Sequence, residues 1–83
     1  MTDADIMDIL TEVIRETFGD DSLQITPETT AADVAGWDSV AHVELLISVE
    51  ERFGIRFTTG EAAAMTNVGH MAEFIGRHLD RKG

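Results

Sequence analysis

Three runs of apolar residues at helical spacing, each closed by a helix breaker or the chain end, constrain most what this chain can become. The middle run is the strongest. Val40, Val43, Leu45, Leu46, Ile47, Val49 and Phe53 follow Gly36-Trp37-Asp38-Ser39 and stop at Gly54. The spacing predicts a helix over residues 39–53, with Asp38 as a cap whose carboxylate can accept first-turn amide hydrogens. Upstream, Ile6, Ile9, Leu10, Val13, Ile14 and Phe18 recur at i, i+3, i+4 and i+7, which predicts a helix over residues 3–18 ended by Gly19. Thr2 with Asp5 forms a capping box with Asp in place of the preferred Glu or Gln, and Asp3, Asp5 and Asp8 favour that helix start. The third run is Val68, Met71, Ala72, Phe74, Ile75 and Leu79, capped by Asn67. Arg77, Arg81 and Lys82 suit its C-terminal end.

The connections differ in length. Residues 19–38 hold Pro27, Thr29, Thr30 and Gly36, which break any regular pattern. Leu23 and Ile25 are expected to plug the core, and Ala31–Val34 to make a short helical turn, since a long link without structure of its own is unusual. Gly54-Ile55-Arg56-Phe57 leaves the second long helix as an extended join that tucks Ile55 and Phe57 inward. Thr58 with Glu61 can cap a short helix over Glu61–Met65. Gly69 lies in the first turn of the last helix and Gly76 inside it, where a close helix crossing would account for Gly76. The expected fold is all-α: a small irregular four-helix bundle with one long connection between helices one and two and a short third helix. At 83 residues it is one domain over 1–83, with frayed ends before about 3 and after about 79, and has little room for a deep cleft.

Charge narrows the function. Asp and Glu number 16 against 6 Lys and Arg, a net charge of -10. Nucleic acid and anionic membrane surfaces repel such a chain, whereas a basic protein partner is steered toward it. No run approaches the roughly 18 apolar residues of a spanning helix. The acidic start Met1-Thr2-Asp3-Ala4-Asp5 is unlike a signal peptide, and the expected location is cytoplasmic. There is no cysteine, so the protein supplies no thiol nucleophile or ligand. His42, His70 and His78 are widely separated; none forms a metal-binding H-x-x-x-H pair. Asp38, Ser39 and His42 on one helical turn do not provide a base with an orienting third group, so a serine hydrolase is disfavoured. His42 is expected near the core, and His70 and His78 on the surface.

The second long helix shows two faces. Leu45, Leu46, Val49 and Phe53, with His42, form a core stripe. Val40, Val43, Glu44, Ile47 and Glu51 form a mixed apolar and acidic strip. Such a strip suits a partner with an apolar groove rimmed by Arg and Lys, although soluble proteins also carry exposed apolar residues without a function. Trp37 has two readings as well, a loop anchor or a contact near Ser39. Ser39 could be a plain helix-start residue or a modification site, where first-turn amides would favour an attached phosphate.

Gly36-Trp37-Asp38-Ser39-Val40-Ala41-His42-Val43-Glu44-Leu45-Leu46, then Val49-Glu50-Glu51-Arg52-Phe53-Gly54-Ile55, Phe57, Glu61 and Met65-Thr66-Asn67-Val68-Gly69, resemble the acyl carrier protein family and related phosphopantetheine-binding carrier domains. The likeness runs from about Ile6 to Leu79. It implies a non-catalytic carrier whose 4'-phosphopantetheine arm, donated by coenzyme A, is attached to Ser39 by a magnesium-dependent phosphopantetheinyl transferase. The arm's thiol would bear an acyl group as a thioester, which fits a chain without cysteine. Asp38 would serve transferase recognition and helix capping. Val40, Val43, Glu44, Ile47, Glu50, Glu51 and Met65 would face partners or cargo.

Ala41 in place of a common acid, the acid-poor Gly60-Glu61-Ala62-Ala63-Ala64, the positive Arg56 and Trp37 depart from fatty-acid carriers. The Gly36-Trp37-Asp38-Ser39 form looks more like discrete carriers of specialised pathways, such as polyketide-type, aminoacyl-type or cell-surface polymer pathways; the polyketide type is the expected one. Aminoacyl or peptidyl transfer and fatty-acid synthesis are the alternatives within the class, and an acidic helical adaptor with unmodified Ser39 the alternative outside it. Implied partners are the transferase, an acyl- or aminoacyl-loading enzyme, and ketosynthase, acyltransferase, condensation or tailoring enzymes with basic docking surfaces. The carrier itself is expected to be a monomer.

Overall fold

Four helices in order α1 (Asp3–Phe18), α2 (Ser39–Phe53), α3 (Thr59–Ala64) and α4 (Val68–Lys82) make up the computed structural model, which describes residues 2–82. A single 3₁₀ turn, Ala31–Asp33, interrupts the long link before α2. There is no strand among the described residues. The bundle is all-α with a short third helix, as the periodicity predicts.

Helix boundaries follow local chemistry. Thr2 Oγ1 accepts from the Asp5 amide at 3.1 Å while Asp5 Oδ2 accepts from the Thr2 amide at 3.1 Å, closing the capping box at α1. At α2, Asp38 Oδ1 accepts from the Ala41 amide at 2.9 Å. Gly54 ends that helix at φ 67°, a left-handed conformation costly for any residue with a Cβ. Thr58 and Glu61 cap α3 reciprocally, and Asn67 Oδ1 accepts from the His70 amide at 2.8 Å in the first turn of α4.

One boundary differs from expectation. The capping box places Thr58 outside the helix, so α3 begins at Thr59 and is over at Ala64; Met65 is its extended cap, not a helical residue. The last helix runs from Val68 to Lys82. Of the expected frayed ends, Met1 and Gly83 lie outside the described residues.

The core forms where α1 packs on α2 and α4. Ile6, Leu10, Val13 and Ile14 of α1 meet Leu45, Val49 and Phe53 of α2 and Val68, Met71 and Ile75 of α4. Leu23 and Ile25 pack against this core from the link, and Val34 is buried. The link also does something its sequence does not announce. The Thr29 carbonyl accepts from the Val68 amide at 2.9 Å, and the Pro27 carbonyl from the Gly69 amide at 2.8 Å. Link carbonyls therefore satisfy the open amides at the start of α4. Thr29 is buried, with its hydroxyl accepting from the Thr26 amide at 2.9 Å.

These contacts locate the glycine that matters. A Cβ on Gly69 would stand 2.9 Å from the Pro27 carbonyl oxygen, whereas one on Gly76 would meet only Ile6 Cδ1, at 3.7 Å. Gly76 does lie against α1, but at an ordinary contact distance. The tight approach is at Gly69.

Candidate functional site

Ser39 is the first residue of α2, and it is exposed. Its hydroxyl makes no hydrogen bond among the described residues. Asp38 turns its carboxylate to the Ala41 amide, while the Ser39 and Val40 amides open the helix and have no intrahelical acceptor. Ser39 stands at the edge of a groove of about 720 Å³ between α2, α3 and the start of α4. Val43, Leu46, Ala62, Ala63, Met65 and Met71 give it mostly apolar walls.

Trp37 and His42 form the polar corner of this groove. The Trp37 indole N–H donates to His42 Nδ1 at 3.1 Å, so the two rings meet edge to edge, 6.1 Å between centroids with their planes 23° apart. Trp37 also lies 5.5 Å from the Phe18 ring at the end of α1. It is therefore both the anchor of the link and a neighbour of Ser39. His42 is half-buried and hydrogen-bonded, as expected for a residue on the core side of α2.

The expected partner residues divide by position. Val40 is 68% exposed, Val43 55% and Ile47 49%, and they are the large hydrophobic side chains that α2 leaves to solvent. Glu44 and Glu51 are exposed beside them. Met65 is only 9% exposed; it belongs to the core and touches the groove from beneath. Glu50 is not a free surface acid. It is half-buried, and its Oε2 accepts from the Phe57 amide at 2.8 Å, which ties the α2–α3 join back to α2. Ile47, Glu50 and Glu51 border a second groove of about 740 Å³ with Arg56, His78 and Arg81, away from Ser39.

His78 departs from expectation: it is not a surface residue. Its side chain is 14% exposed, with Nε2 at 2.8 Å from Glu61 Oε1 and its ring edge-on to Phe57 at 5.7 Å. This contact fastens α3, one wall of the Ser39 groove, to α4. The Thr58 amide bonding the same Glu61 oxygen, and then His78, hold the Glu61 carboxyl below its usual range. A lowered carboxylate contributes stability that is present above its ordinary value near 4.5 and is lost as pH falls through the lowered one. Glu61→Gln is therefore expected to remove part of the stability above that value and to flatten its acid dependence. Denaturation midpoints that fall equally steeply with acid in both proteins would contradict this.

His70 is exposed and contacts Thr66 at 2.8 Å. Among the described residues no cluster of three or more His, Asp or Glu could hold a metal ion, and no helix is long and apolar enough to cross a membrane.

A short helical bundle whose second helix opens on an exposed serine beside an apolar groove has the build of a carrier domain. The comparisons give that class its family. The family described as "Phosphopantetheine attachment site" matches residues 8–75. The acyl carrier protein of Helicobacter pylori (strain ATCC 700392 / 26695) is 36% identical over 63 residues, covering 76% of this chain and 81% of the relative. The acyl carrier protein of strain G27 matches to the same extent. The solution NMR structure of the holo acyl carrier protein from Geobacter metallireducens superposes with a TM-score of 0.87 at 41% identity, covering 92% of this chain and 87% of that one. The chain belongs to the acyl carrier protein family. Its cofactor is accordingly 4'-phosphopantetheine, covalently attached, and it is a carrier and not a catalyst. Its partners are of the kind the family implies, transferases and acyl-handling enzymes.

The residues present fit that cofactor. An unengaged serine hydroxyl at a helix start tolerates an attached phosphodiester, because the helix dipole and open amides favour an anion there. The apolar groove beside it can receive the non-polar parts of an arm or its cargo.

Proposed function

We propose that Ser39 bears the 4'-phosphopantetheine arm and that the protein carries acyl intermediates for a specialised, polyketide-type pathway. The carrying observation is the exposed Ser39 hydroxyl at the mouth of the apolar groove. In the loading step the Ser39 Oγ–phosphorus bond forms as the pyrophosphate bond of coenzyme A breaks. The serine proton goes to a base of the transferase, and adenosine 3',5'-bisphosphate leaves. Asp38 keeps α2 capped, so the hydroxyl is presented on a formed helix. The tethered thioester is then offered to each partner at a raised effective concentration.

The specialised pathway is inferred from what surrounds the groove. Trp37 and His42 fill the corner beside Ser39, and α3 contributes alanines where an acid-rich helix would carry charge. The exposed strip of Val40, Val43, Glu44, Ile47 and Glu51 supports docking on basic, partly apolar enzyme faces.

The test is intact mass after incubation with coenzyme A, magnesium and a broad-specificity phosphopantetheinyl transferase, followed by fragmentation to locate the addition. One arm on Ser39 is expected. A folded protein that gains nothing from an active transferase, or gains it elsewhere, overturns the assignment. Elongation of the loaded protein by fatty-acid enzymes as fast as their own carrier overturns the specialised pathway alone.

Charge reversal probes the strip. Glu44→Lys is expected to lower the transferase kcat/KM severalfold at low salt, with the deficit shrinking as salt is added. Stability should change by no more than about 0.5 kcal/mol, because Glu44 is exposed. A salt-independent deficit would point to lost packing instead.

A further inference from the structure

The hydrogen bond from Trp37 to His42 fixes more than a loop. An indole nitrogen can only donate, so His42 Nδ1 must be the acceptor and carries no proton. In the neutral ring the proton is then on Nε2. That Nε2 has no partner among the described residues, although His42 is half-buried and lines the groove. His42 lies three positions after Ser39, so the two side chains are neighbours on one side of α2. Val43, Leu46, Met65 and Met71 give the groove apolar walls, and of its other polar side chains Asp38 bonds the Ala41 amide, Asn67 the His70 amide and Thr66 the His70 ring. The groove thus holds an unpartnered donor, with its tautomer set by Trp37, one helical turn from the hydroxyl.

We infer that His42 is a binding residue for the arm: its Nε2–H, with the ring held by Trp37, donates to an oxygen in the first part of an arm attached at Ser39. The chemistry recognised is a hydrogen-bond acceptor close to the attachment point, either the phosphodiester or the hydroxyl and amide oxygens that follow it. Trp37 is a positioning residue, acting through the Nδ1 bond. The inference rests on Ser39 bearing the arm. It adds that the start of the arm is held against the groove and does not swing freely from the serine.

The experiment uses protein labelled with 15N-histidine, unloaded and fully loaded, with loading verified by intact mass first. Long-range nitrogen–proton spectra at neutral pH should show His42 with a bare Nδ1 and a protonated Nε2 in both forms. On loading, the Nε2 resonance should shift, and its proton should become resolved where exchange with water had broadened it. An acceptor on the phosphodiester should show a 31P response when His42 is replaced; a response of the arm's amide signals alone would assign the bond further along.

Trp37→Phe keeps an aromatic ring and removes the donor, so the ring should relax to a tautomer mixture and the loading-dependent shift should shrink. His42→Gln, which places an amide N–H near the former Nε2, should preserve the arm's bound methyl signals, while His42→Leu should return them to free-arm values. A purely packing role for His42 predicts no such split between Gln and Leu. Complete loading of the wild type with unmoved His42 nitrogen and arm signals overturns the inference alone. Failure to load overturns the Ser39 assignment, and the inference with it.

Discussion

Ser39→Ala is expected to leave the mass unchanged under conditions that add one arm to the wild type. The loss should be complete, because the substitution removes the atom to which the phosphorus would bond. No other serine can substitute by position: Ser22 is engaged by Asp20 at 2.6 Å in the long link, and Ser48 is half-buried on α2. The fold should survive. Ser39 is exposed, its hydroxyl has no partner among the described residues, and the cap of α2 is supplied by Asp38. Alanine also has a good helical propensity. Helical circular dichroism and the melting temperature should therefore match the wild type, so that lost loading and lost folding are separable. A variant that still gains an arm would move the attachment site; one that melts early would make Ser39 structural.

The second large effect concerns stability and has opposite signs at two glycines of one helix. Gly69→Ala is expected to destabilise by about 1–3 kcal/mol, the usual range for forcing a methyl group into an occupied space. The obstacle is backbone, the Pro27 carbonyl oxygen at 2.9 Å, and it cannot rotate away. Relieving the clash pulls the link from α4 and strains two hydrogen bonds, from the Val68 amide to Thr29 and from the Gly69 amide to Pro27. Gly76→Ala meets only the end of the Ile6 side chain at 3.7 Å. It should stabilise by roughly 0.5–1 kcal/mol through the helical preference of alanine over glycine. For a chain of this size each kcal/mol moves Tm by roughly 4–8 °C, so paired melts resolve the two signs. Equal shifts in the same direction would show that the link does not clamp α4 as described.

Elements carried by local pattern were readable before any coordinates. The boxes at Thr2 and Thr58, the caps at Asp38 and Asn67, and the stops at Gly19 and Gly54 depend on residues a few positions apart. So does the separation of α2 into a buried side, Leu45, Val49 and Phe53, and an open side, Val40, Val43 and Ile47. The candidate site was legible for the same reason, since Asp38, Ser39 and the strip behind them lie on one helix. What stayed hidden depends on chain segments meeting in space. Glu50 looks like one more surface acid until the join after α2 folds back and Phe57 bonds it. His78 looks exposed on α4 until Glu61 and Phe57 arrive beside it. The functions of Thr29 and Pro27 as caps of α4 have no local signature, because their partners lie some forty residues along the chain. Gly69 and Gly76 cannot be ranked from propensity alone, because the difference between them is the neighbour each would strike.

Trp37 is the only tryptophan, and there is no tyrosine. Its indole sits against Phe18, bonds His42 and borders the groove beside Ser39. The intrinsic fluorescence of this protein is therefore a single-site signal, originating where helix one, the long link and the groove converge. If the arm is loaded on Ser39 as proposed, its attachment should change this signal, and the change can be followed in real time on unlabelled protein, by one built-in lamp.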